Sequence, residues 1–465
     1  MDAVSGQPAA AGIPSLASEP AAPQGAALIG ARMDALPVTP LHGAIFALCT
    51  IGLSADIAEV ALSNVLVAVF LAPPYNLARS DLSLLLASVF AGGALGAPLF
   101  GWLADHHGRR LALQIALVII AVSSIAAAAS QDVTSMTIAR FVSGLAIGGY
   151  PPLTATYMSD ILPPARRGAL MLACAGLAFL GAPAAILAMK ALSPMTFGLE
   201  GWRWVLAGGG LVATIPAVLL GRMPESPRWL AARGRDEEAL LALKRFEAAA
   251  SGRAKPSAPT LAASEETGET HAPEPGRNRR RFMFLASLYG LGPWATLGFP
   301  LLSAAVMVHK GFSISDSILF SGLSMLGPAV GILAAAPAID LLDRRAALVV
   351  TASVMVCAGI AFAATTALIP LVLLGLIFNL ASAVYNVILG LYAAEMFPTS
   401  RRASATAGAW AVGRLVSICV PLVLLPLLTA SGPAAMFAVI TGALVLSLGL
   451  IIVLGPTGRA RRALA

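Results

Sequence analysis

The chain has 465 residues, of which 58% are hydrophobic and 11% charged, with a formal net charge of +7 and a mean hydropathy of +0.84. A soluble domain carries about 25% charged residues, so this composition excludes an ordinary water-soluble protein and predicts that lipid solvates much of the surface. The positive charge does not indicate a nucleic-acid partner, because the basic residues lie in loops beside apolar segments, as membrane topology requires.

The first segment, residues 1–40, is rich in Ala, Pro and Gly, and its first basic residue is Arg32. The basic-then-apolar pattern of a cleavable signal is missing. We therefore expect a disordered cytoplasmic N-terminal tail, with the first membrane span acting as the insertion signal.

Twelve apolar segments follow, each long enough for a helix that crosses about 30 Å of hydrocarbon. Their predicted limits are 42–70, 82–104, 111–130, 134–159, 168–191, 202–222, 282–308, 315–339, 346–366, 369–394, 404–429 and 433–455. These limits predict an all-α membrane protein of 12 transmembrane helices in two six-helix lobes. The predicted divisions are an N-terminal lobe at 41–222, a cytoplasmic linker at 223–281, a C-terminal lobe at 282–455 and a cytoplasmic tail at 456–465.

Lys and Arg collect on one side of the predicted bundle. That side carries Arg109, Arg110, Arg166, Arg167, Arg344, Arg345, Arg401, Arg402 and the basic residues of the linker and the C-terminal tail. Because basic loops stay on the cytoplasmic side, both termini are expected in the cytoplasm. The sequence thus predicts a multi-pass protein of the plasma (inner) membrane.

The charged loop residues repeat at one offset, 235 residues (340 − 105 = 235). The repeated pairs are Asp105 and Asp340, Arg109 and Arg344, Asp160 and Glu395, and Arg166 and Arg401. Duplication of a multi-span unit is typical of transporters whose cavity lies between two lobes.

Several motifs carry a family resemblance. The loop Gly101-Trp-Leu-Ala-Asp-His-His-Gly-Arg-Arg110 resembles the signature loop of the major facilitator superfamily, and Arg140-Phe-Val-Ser-Gly-Leu-Ala-Ile-Gly-Gly-Tyr-Pro151 in span four continues the resemblance. Asp160-Ile-Leu-Pro-Pro-Ala-Arg-Arg-Gly168 and Pro224-Glu-Ser-Pro-Arg-Trp-Leu230 resemble the sugar-porter-like branch. The resemblance covers about residues 42 to 455 and implies the major facilitator fold.

By this resemblance, paired charges would form a cytoplasmic gate that holds that side shut. The gate residues are Asp105, Arg109, Asp160, Arg166, Glu225 and Arg228 in one half, with Asp340, Arg344, Glu395 and Arg401 in the other. A carboxylate near a helix N-terminus is favoured by the helix dipole, and a nearby Arg can bridge it. The alternative interpretation is that the arginines only set the topology.

Span one contains two carboxylates, Asp56 and Glu59, which share a helix face. An ionisable residue inside the bilayer is costly and indicates function, and Arg140 in span four is the expected partner of one of them. Burial disfavours an ionised carboxylate and a neighbouring Arg favours it, so protonation can change when the pair breaks. We predict proton coupling by Asp56, Glu59 and Arg140, without choosing which acid pairs with Arg140.

Arg414 lies near the middle of span eleven, without an acidic residue on its own span. A guanidinium presents a planar fork suited to a carboxylate, so an anionic substrate is expected. The Asp-x-x-Glu element and Arg414 resemble bacterial niacin transporters, aromatic-acid:proton symporters and synaptic-vesicle-glycoprotein-related proteins, which implies a small aromatic or nicotinate-like acid. The alternatives are that Arg414 pairs with Asp56 or Glu59, or extends towards the membrane surface.

Spans five and seven lack the glutamines that hold hydroxyl groups in sugar carriers. The further substrate-binding candidates are Tyr150, Tyr289, Trp294, Tyr385, Asn386 and Trp410, which could stack on a ring and supply hydrogen bonds. The alternative is that these aromatic residues only pack or lie at the membrane interface.

We therefore expect a secondary active transporter, monomeric, whose partners are a small substrate, protons and the bilayer. Proton-coupled uptake of an organic acid is the main hypothesis. Proton-driven efflux, sugar or polyol transport, and a sensor or scaffold that does not transport are the alternatives. No enzyme activity, cofactor or metal is expected, because the sequence contains no Walker A, GxSxG or HExxH motif.

Overall fold

The computed structural model describes residues 24–71, 75–193, 195, 198–250, 275–336, 343–397 and 399–456, and these fold as α-helices joined by short turns. The helices are α1 Gln24–Asp34, α2 Pro40–Leu71, α3 Arg79–His107, α4 Arg109–Ala129, α5 Val133–Ile161, α6 Pro164–Ala178, α7 Gly181–Leu192, α8 Gly201–Leu220, α9 Pro227–Ala232, α10 Asp236–Ala250, α11 Pro275–Thr296, α12 Gly298–His309, α13 Ile314–Ser324, α14 Leu326–Ala335, α15 Arg344–Ala364, α16 Leu368–Glu395 and α17 Thr399–Leu454.

These helices supply twelve membrane crossings. Ten helical segments are long and apolar enough to cross a membrane. Helix α5 adds another, because its 29 residues are sufficient in length although it is more polar. Helix α17 contains two crossings, which meet at Gly432, where a φ of 82° interrupts the helical backbone. The observed spans begin and end within a few residues of the predicted ones.

Three of the crossings are broken near their middle, a feature that the apolar pattern did not predict. Span five changes from α6 to α7 at Phe179 and Leu180, span seven from α11 to α12 at Leu297, and span eight from α13 to α14 at Met325. Pro183, Pro293 and Pro328 lie three or four residues from these breaks. Because proline removes an intrahelical hydrogen bond and crowds the preceding turn, each lowers the cost of a kink.

The helices themselves repeat at the offset seen in the charged loops, 235 residues (314 − 79 = 235). The paired first residues are Arg79 and Ile314, Arg109 and Arg344, Val133 and Leu368, and Pro164 and Thr399. The duplication read from loop charges therefore extends to the helix boundaries of the two lobes.

Within the N-terminal lobe, α3 and α5 cross at very short distance through glycine. A Cβ added at Gly92 or Gly96 would overlap the backbone of α5, and one at Gly144 or Gly148 would overlap the backbone of α3. Small residues permit this approach between membrane helices. The crossing fixes the position of α5, which carries Arg140.

One end of the bundle, here termed the arginine face, carries Arg109, Arg110, Arg166, Arg167, Arg344 and Arg345. Helices α1, α9 and α10 pack against its N-terminal half. The prediction that residues 1–40 are disordered is corrected over 24–34, which form α1. Ile29 and Met33, one turn apart, are buried beside Trp229 and Phe246; an apolar stripe of this kind stabilises a surface helix. Residues 1–23 lie outside the described part.

Candidate functional site

A cavity of about 230 Å³ lies between the two lobes. Its lining comprises Asp56, Ile57, Val60, Ala61, Ile147, Phe179 and Ala182 from the N-terminal lobe and Thr296, Leu297, Pro300, Leu301, Met325 and Arg414 from the C-terminal lobe. The volume is below the roughly 300–1,000 Å³ of pockets for drug-sized ligands, so the cavity suits a small molecule. Asp56 and Arg414 are the two charged residues that the described part of the chain contributes to it.

The three helix breaks meet at this cavity. Phe179, Leu297 and Met325, which are the residues at the breaks in spans five, seven and eight, all contribute to the lining. Discontinuous helices near the bilayer midplane are typical of binding sites in secondary transporters. The breaks thus support the cavity as the candidate binding site.

Glu59 and Arg140 form an ion pair inside the N-terminal lobe, with 2.7 Å between Oε2 of Glu59 and Nη1 of Arg140. The two side chains are 2% and 1% exposed, so the pair is shielded from both solvent and lipid. The guanidinium N–H groups are not aligned for a hydrogen bond to any described acceptor. Charge attraction therefore holds this pair, and the structure resolves which acid partners Arg140.

Ser124 completes the surroundings of Glu59. Its hydroxyl donates a hydrogen bond to Oε1 of Glu59, the oxygen that does not contact Arg140. The sequence analysis missed Ser124, because a serine in an apolar span is common and its partner lies 65 residues away. The hydroxyl orients the carboxylate towards Arg140.

Asp56 has a different environment from Glu59, although one helical turn separates them. Its side chain faces the interlobe cavity and is 3% exposed, and Oδ1 has no hydrogen-bond partner among the described residues. Arg414 supplies the opposite charge on the other side of the cavity, and the two groups form no ion pair in the described structure. Of the two acidic residues of span one, Glu59 thus forms an ion pair, whereas Asp56 forms none in the described structure.

Arg414 packs against an aromatic ring, which in turn contacts a second one. Its guanidinium lies over the Trp410 ring, 4.9 Å from the centroid, and Trp410 meets Tyr289 edge-on at 5.9 Å. Nε of Arg414 is buried without a hydrogen-bond partner in the described structure. Stacking keeps the charge in place while its donor groups stay available.

Six of the seven predicted substrate-binding side chains do not line this cavity, which corrects their placement. Trp410 contacts Arg414 and Tyr289 contacts Trp410, whereas the other four lie elsewhere. Tyr150 is buried against Gly52 inside the N-terminal lobe, and Tyr385 is 1% exposed inside the C-terminal lobe. Trp294 is partly buried against the large hydrophobic core, and Asn386 is exposed outside the cavity. The helical phase of each residue points it away, a property that residue type alone does not reveal.

At the arginine face, Glu225 caps the start of α4. Its Oε1 accepts hydrogen bonds from the backbone N–H groups of Arg109 and Arg110, both at 3.1 Å, rather than from a guanidinium. Burial raises the pKa of Glu225, against the opposing effect of these hydrogen bonds. Gly108 precedes the cap with a φ of 117°, and a Cβ there would overlap the Glu225 carboxylate.

Arg109 also contacts two carboxylates of its own lobe. Its Nη1 lies 2.6 Å from Oδ1 of Asp105, and its Nε lies 3.9 Å from Oδ2 of Asp160. Asp160 in turn accepts a hydrogen bond from the Ser226 hydroxyl at 3.0 Å. These contacts join the ends of α3, α4 and α5 to the start of the linker.

Two predicted gate arginines differ from expectation. Arg228 pairs with Asp34 of α1, which Arg167 also contacts at 3.4 Å. Arg166 is exposed and contacts no carboxylate of the described structure. The sequence does not indicate a role for Asp34, because its composition predicts disorder before the first span.

In the C-terminal lobe, Arg344 pairs with Glu395 at 3.0 Å, and Arg344 is almost fully buried. Asp340 and the side chain of Arg401 lie outside the described residues. Each ion pair described at the arginine face joins two residues of the same half of the molecule. In this conformation the charges therefore brace each half separately.

Comparison with known proteins shows which family the chain matches and which proteins it resembles. The model of a family described as "Sugar (and other) transporter" matches residues 52–460. The metabolite transport protein YyaJ of Bacillus subtilis is 27% identical over 93% of this chain and 96% of its own length. The niacin transporter NiaP of Acinetobacter baylyi is 25% identical over 91% and 96%, respectively. The partially occluded inward-open xylose transporter XylE of E. coli superposes with a TM-score of 0.74 at 20% identity, over 91% of this chain and 100% of that structure. The predicted major facilitator fold of twelve helices in two lobes is confirmed.

Proposed function

The chain belongs to the sugar (and other) transporter family of the major facilitator superfamily, and on this premise we propose that it takes up a small organic carboxylate together with protons. It is a membrane-embedded transporter of a small molecule and not an enzyme. The proposal adds the proton coupling, the direction and the substrate class. It also places a monomer in the plasma (inner) membrane, with the arginine face and both termini in the cytoplasm by the positive-inside rule.

The buried Glu59–Arg140 pair is the observation that carries the coupling proposal. A carboxylate that loses its Arg partner inside a low-dielectric lobe favours its protonated form. Separation of the pair during the change of access would therefore bind a proton, and its re-formation would release one. Because no aligned hydrogen bond locks the pair, separation costs less than it would for a bidentate contact.

The substrate carboxylate is assigned to Arg414, whose Nε faces no acceptor and whose guanidinium is stacked on Trp410. An aromatic ring would lie among Phe179, Leu297 and Met325 in the same cavity. The similarity to a niacin transporter over most of the chain supports an aromatic acid of this size. Tyr289 contributes indirectly, through its contact with Trp410.

The arginine-face charges would act as the cytoplasmic gate. In this conformation Asp105, Arg109 and Asp160 brace one half, and Arg344 with Glu395 braces the other. We propose that access closes on the cytoplasmic side when these groups exchange partners across the boundary between the two halves, since each half carries both acidic and basic groups.

Sugar transport is the second candidate, favoured by the family description and by the name of the similar xylose transporter. The cavity lining speaks against it, because Thr296 is the one uncharged polar side chain among the described residues of the lining. A molecule with several hydroxyl groups would leave most of them without hydrogen bonds, at about 1–3 kcal/mol for each buried group. An organic acid leaves fewer groups unpaired.

The test is uptake of labelled benzoate and labelled xylose into proteoliposomes with an imposed inward proton gradient. We expect benzoate to accumulate above its level in protein-free liposomes, a protonophore to abolish this excess, and xylose to remain at its equilibrium level. Arg414→Ala should abolish benzoate uptake, whereas Asp316→Asn, on an exposed carboxylate, should not. Accumulation of xylose, or benzoate uptake that a protonophore leaves unchanged, would overturn the proposal.

A further inference from the structure

Asp56 and Arg414 face each other from opposite lobes, and we propose that the substrate is bipolar: one carboxylate for Arg414 and one ammonium or protonated ring nitrogen for Asp56. This inference rests on the proposed function and narrows its substrate class. The two residues are the charged groups of the cavity, and each comes from a different lobe. A ligand that contacts both would join the lobes across the seam.

The two side chains are opposed but unpaired. Oδ1 of Asp56 and Nε of Arg414 are buried and lack hydrogen-bond partners among the described residues. Their charges interact across the cavity without an ion pair between them. A buried charge is costly unless it is paired, so a ligand that brings an opposite charge to each of these two groups would be stabilised here.

The nearby groups cannot supply those partners. Glu59, one turn from Asp56, is occupied by Arg140 and by the Ser124 hydroxyl. Trp410 contacts Arg414 through its ring face and provides no acceptor oxygen. The remaining cavity wall is apolar apart from Thr296. The described neighbours therefore leave both charged groups able to bind opposite charges of a ligand.

Charge neutrality favours a bipolar ligand over a singly charged one. A monoanion would neutralise Arg414 but lie in the same small cavity as the Asp56 carboxylate, and a monocation would neutralise Asp56 and face Arg414. At low dielectric these like-charge contacts are unfavourable. A zwitterion neutralises both walls and leaves its apolar ring among Phe179, Leu297 and Met325.

Three ligands of similar size separate these cases: 4-(aminomethyl)benzoate, which is bipolar, 4-methylbenzoate, which has the carboxylate alone, and 4-methylbenzylamine, which has the ammonium alone. Their dissociation constants are measured on the purified full-length protein by calorimetry. We expect the bipolar ligand to bind at least about tenfold more tightly than either of the others. Equal or tighter binding of 4-methylbenzoate would overturn the bipolar inference and leave the organic-acid proposal standing. Failure of both acids to bind would overturn the proposed function as well.

Two variants assign each end of the ligand. Asp56→Asn should remove the preference over 4-methylbenzoate, and Arg414→Gln should remove the preference over 4-methylbenzylamine. Asp316→Asn changes a carboxylate in the first turn of α13, which does not line the cavity, and should keep the wild-type ratios. Melting temperatures measured alongside identify a variant that fails to fold, in which case the wild-type ratios decide. If Asp56→Asn and Arg414→Gln both fold and both still bind the bipolar ligand more tightly than the two singly charged ligands, the inference is overturned.

Discussion

Phe179 and Arg414 are separated by 235 residues, the offset of the internal repeat (414 − 179 = 235), and both line the interlobe cavity. Equivalent positions in the two lobes thus present a ring from one side and a guanidinium from the other. The repeat supplies the matched frame. Binding of a charged ligand depends on the different residues at these equivalent positions. Arginine at both positions would place two like charges in one small cavity, where they would repel each other.

The membrane charges of the N-terminal lobe have likewise no counterparts in the other lobe. The positions equivalent to Asp56, Glu59 and Arg140 are Leu291, Trp294 and Gly375. Proton coupling is therefore expected to belong to one lobe, and substrate charge recognition to the seam between them.

The first prediction concerns Glu59→Gln. The variant leaves Arg140 buried without a counter-charge, which costs about 3–5 kcal/mol when one partner of a buried pair is removed. We expect a lower melting temperature and loss of proton-driven accumulation in proteoliposomes. Exchange of internal for external substrate, which needs no net proton movement, should continue.

Glu238→Gln is the matched control, because Glu238 also pairs with an arginine, Arg235, but at an exposed site. That pair is worth about 0–1 kcal/mol, so its loss should change neither the melting temperature nor accumulation. Gradient-driven accumulation by a folded Glu59→Gln variant would show that the proton is carried elsewhere.

The second prediction uses two adjacent serines of α4. Ser124 donates to Glu59, whereas Ser123 donates to the carbonyl oxygen of Ile120 at 3.1 Å within its own helix. Both are buried. Ser124→Ala should lower proton-driven uptake several-fold, since a hydrogen bond to a charged group contributes about 1.5–3 kcal/mol. Ser123→Ala should have little effect. Equal uptake by the two variants would remove Ser124 from the positioning of Glu59.

The sequence predicted the twelve crossings because long apolar segments between basic loops have few interpretations at this composition. It also predicted a buried partner for Arg140, because charge inside a span demands one. The choice of Glu59 over Asp56 was not accessible, since a difference of three residues on one helix is settled by rotation and tilt. Apolar periodicity cannot locate the breaks at Phe179, Leu297 and Met325, because a kinked and a straight span have the same composition.

Side-chain direction explains the errors among the aromatic candidates. Tyr150 and Tyr385 lie in spans with the expected depth, yet both point into their own lobes. Residue type indicates that a side chain can stack on a ring, but it does not indicate the direction in which the side chain points from its helix. The α1 contacts of Asp34 were missed for another reason: an Ala-rich, Pro-rich composition masked a short amphipathic helix.

The third prediction follows from the raised pKa of buried Glu225. A carboxyl whose pKa is higher in the folded state binds more protons there than in the unfolded state. Its contribution to stability is therefore complete below the ordinary Glu value of 4.5 and is lost as pH rises through the raised pKa. The unfolding free energy of the wild type minus that of Glu225→Gln should fall with rising pH, by up to about 1.4 kcal/mol per unit in that window.

Melting curves between pH 5 and pH 8 measure this difference. Asp132→Asn serves as the control, because the hydrogen bond from the Ser135 backbone lowers the pKa of Asp132 below its ordinary value of 3.8. That group titrates outside the range, so the difference between this variant and the wild type should stay constant. A wild-type advantage over Glu225→Gln that grows with pH would contradict the assignment.

The last prediction contrasts two glycines of the same loop motif. Gly108 has a φ of 117°, which disfavours a residue with a side chain, and a Cβ there would overlap the Glu225 carboxylate that caps α4. Gly108→Ala should destabilise the protein by about 1–3 kcal/mol through strain and loss of the cap. Gly101 lies within α3, with no atom near the position of a Cβ. Gly101→Ala should therefore leave the melting temperature unchanged or raise it slightly, because alanine favours a helix over glycine by about 1 kcal/mol. If both variants melt together, the cap of α4 does not depend on Gly108.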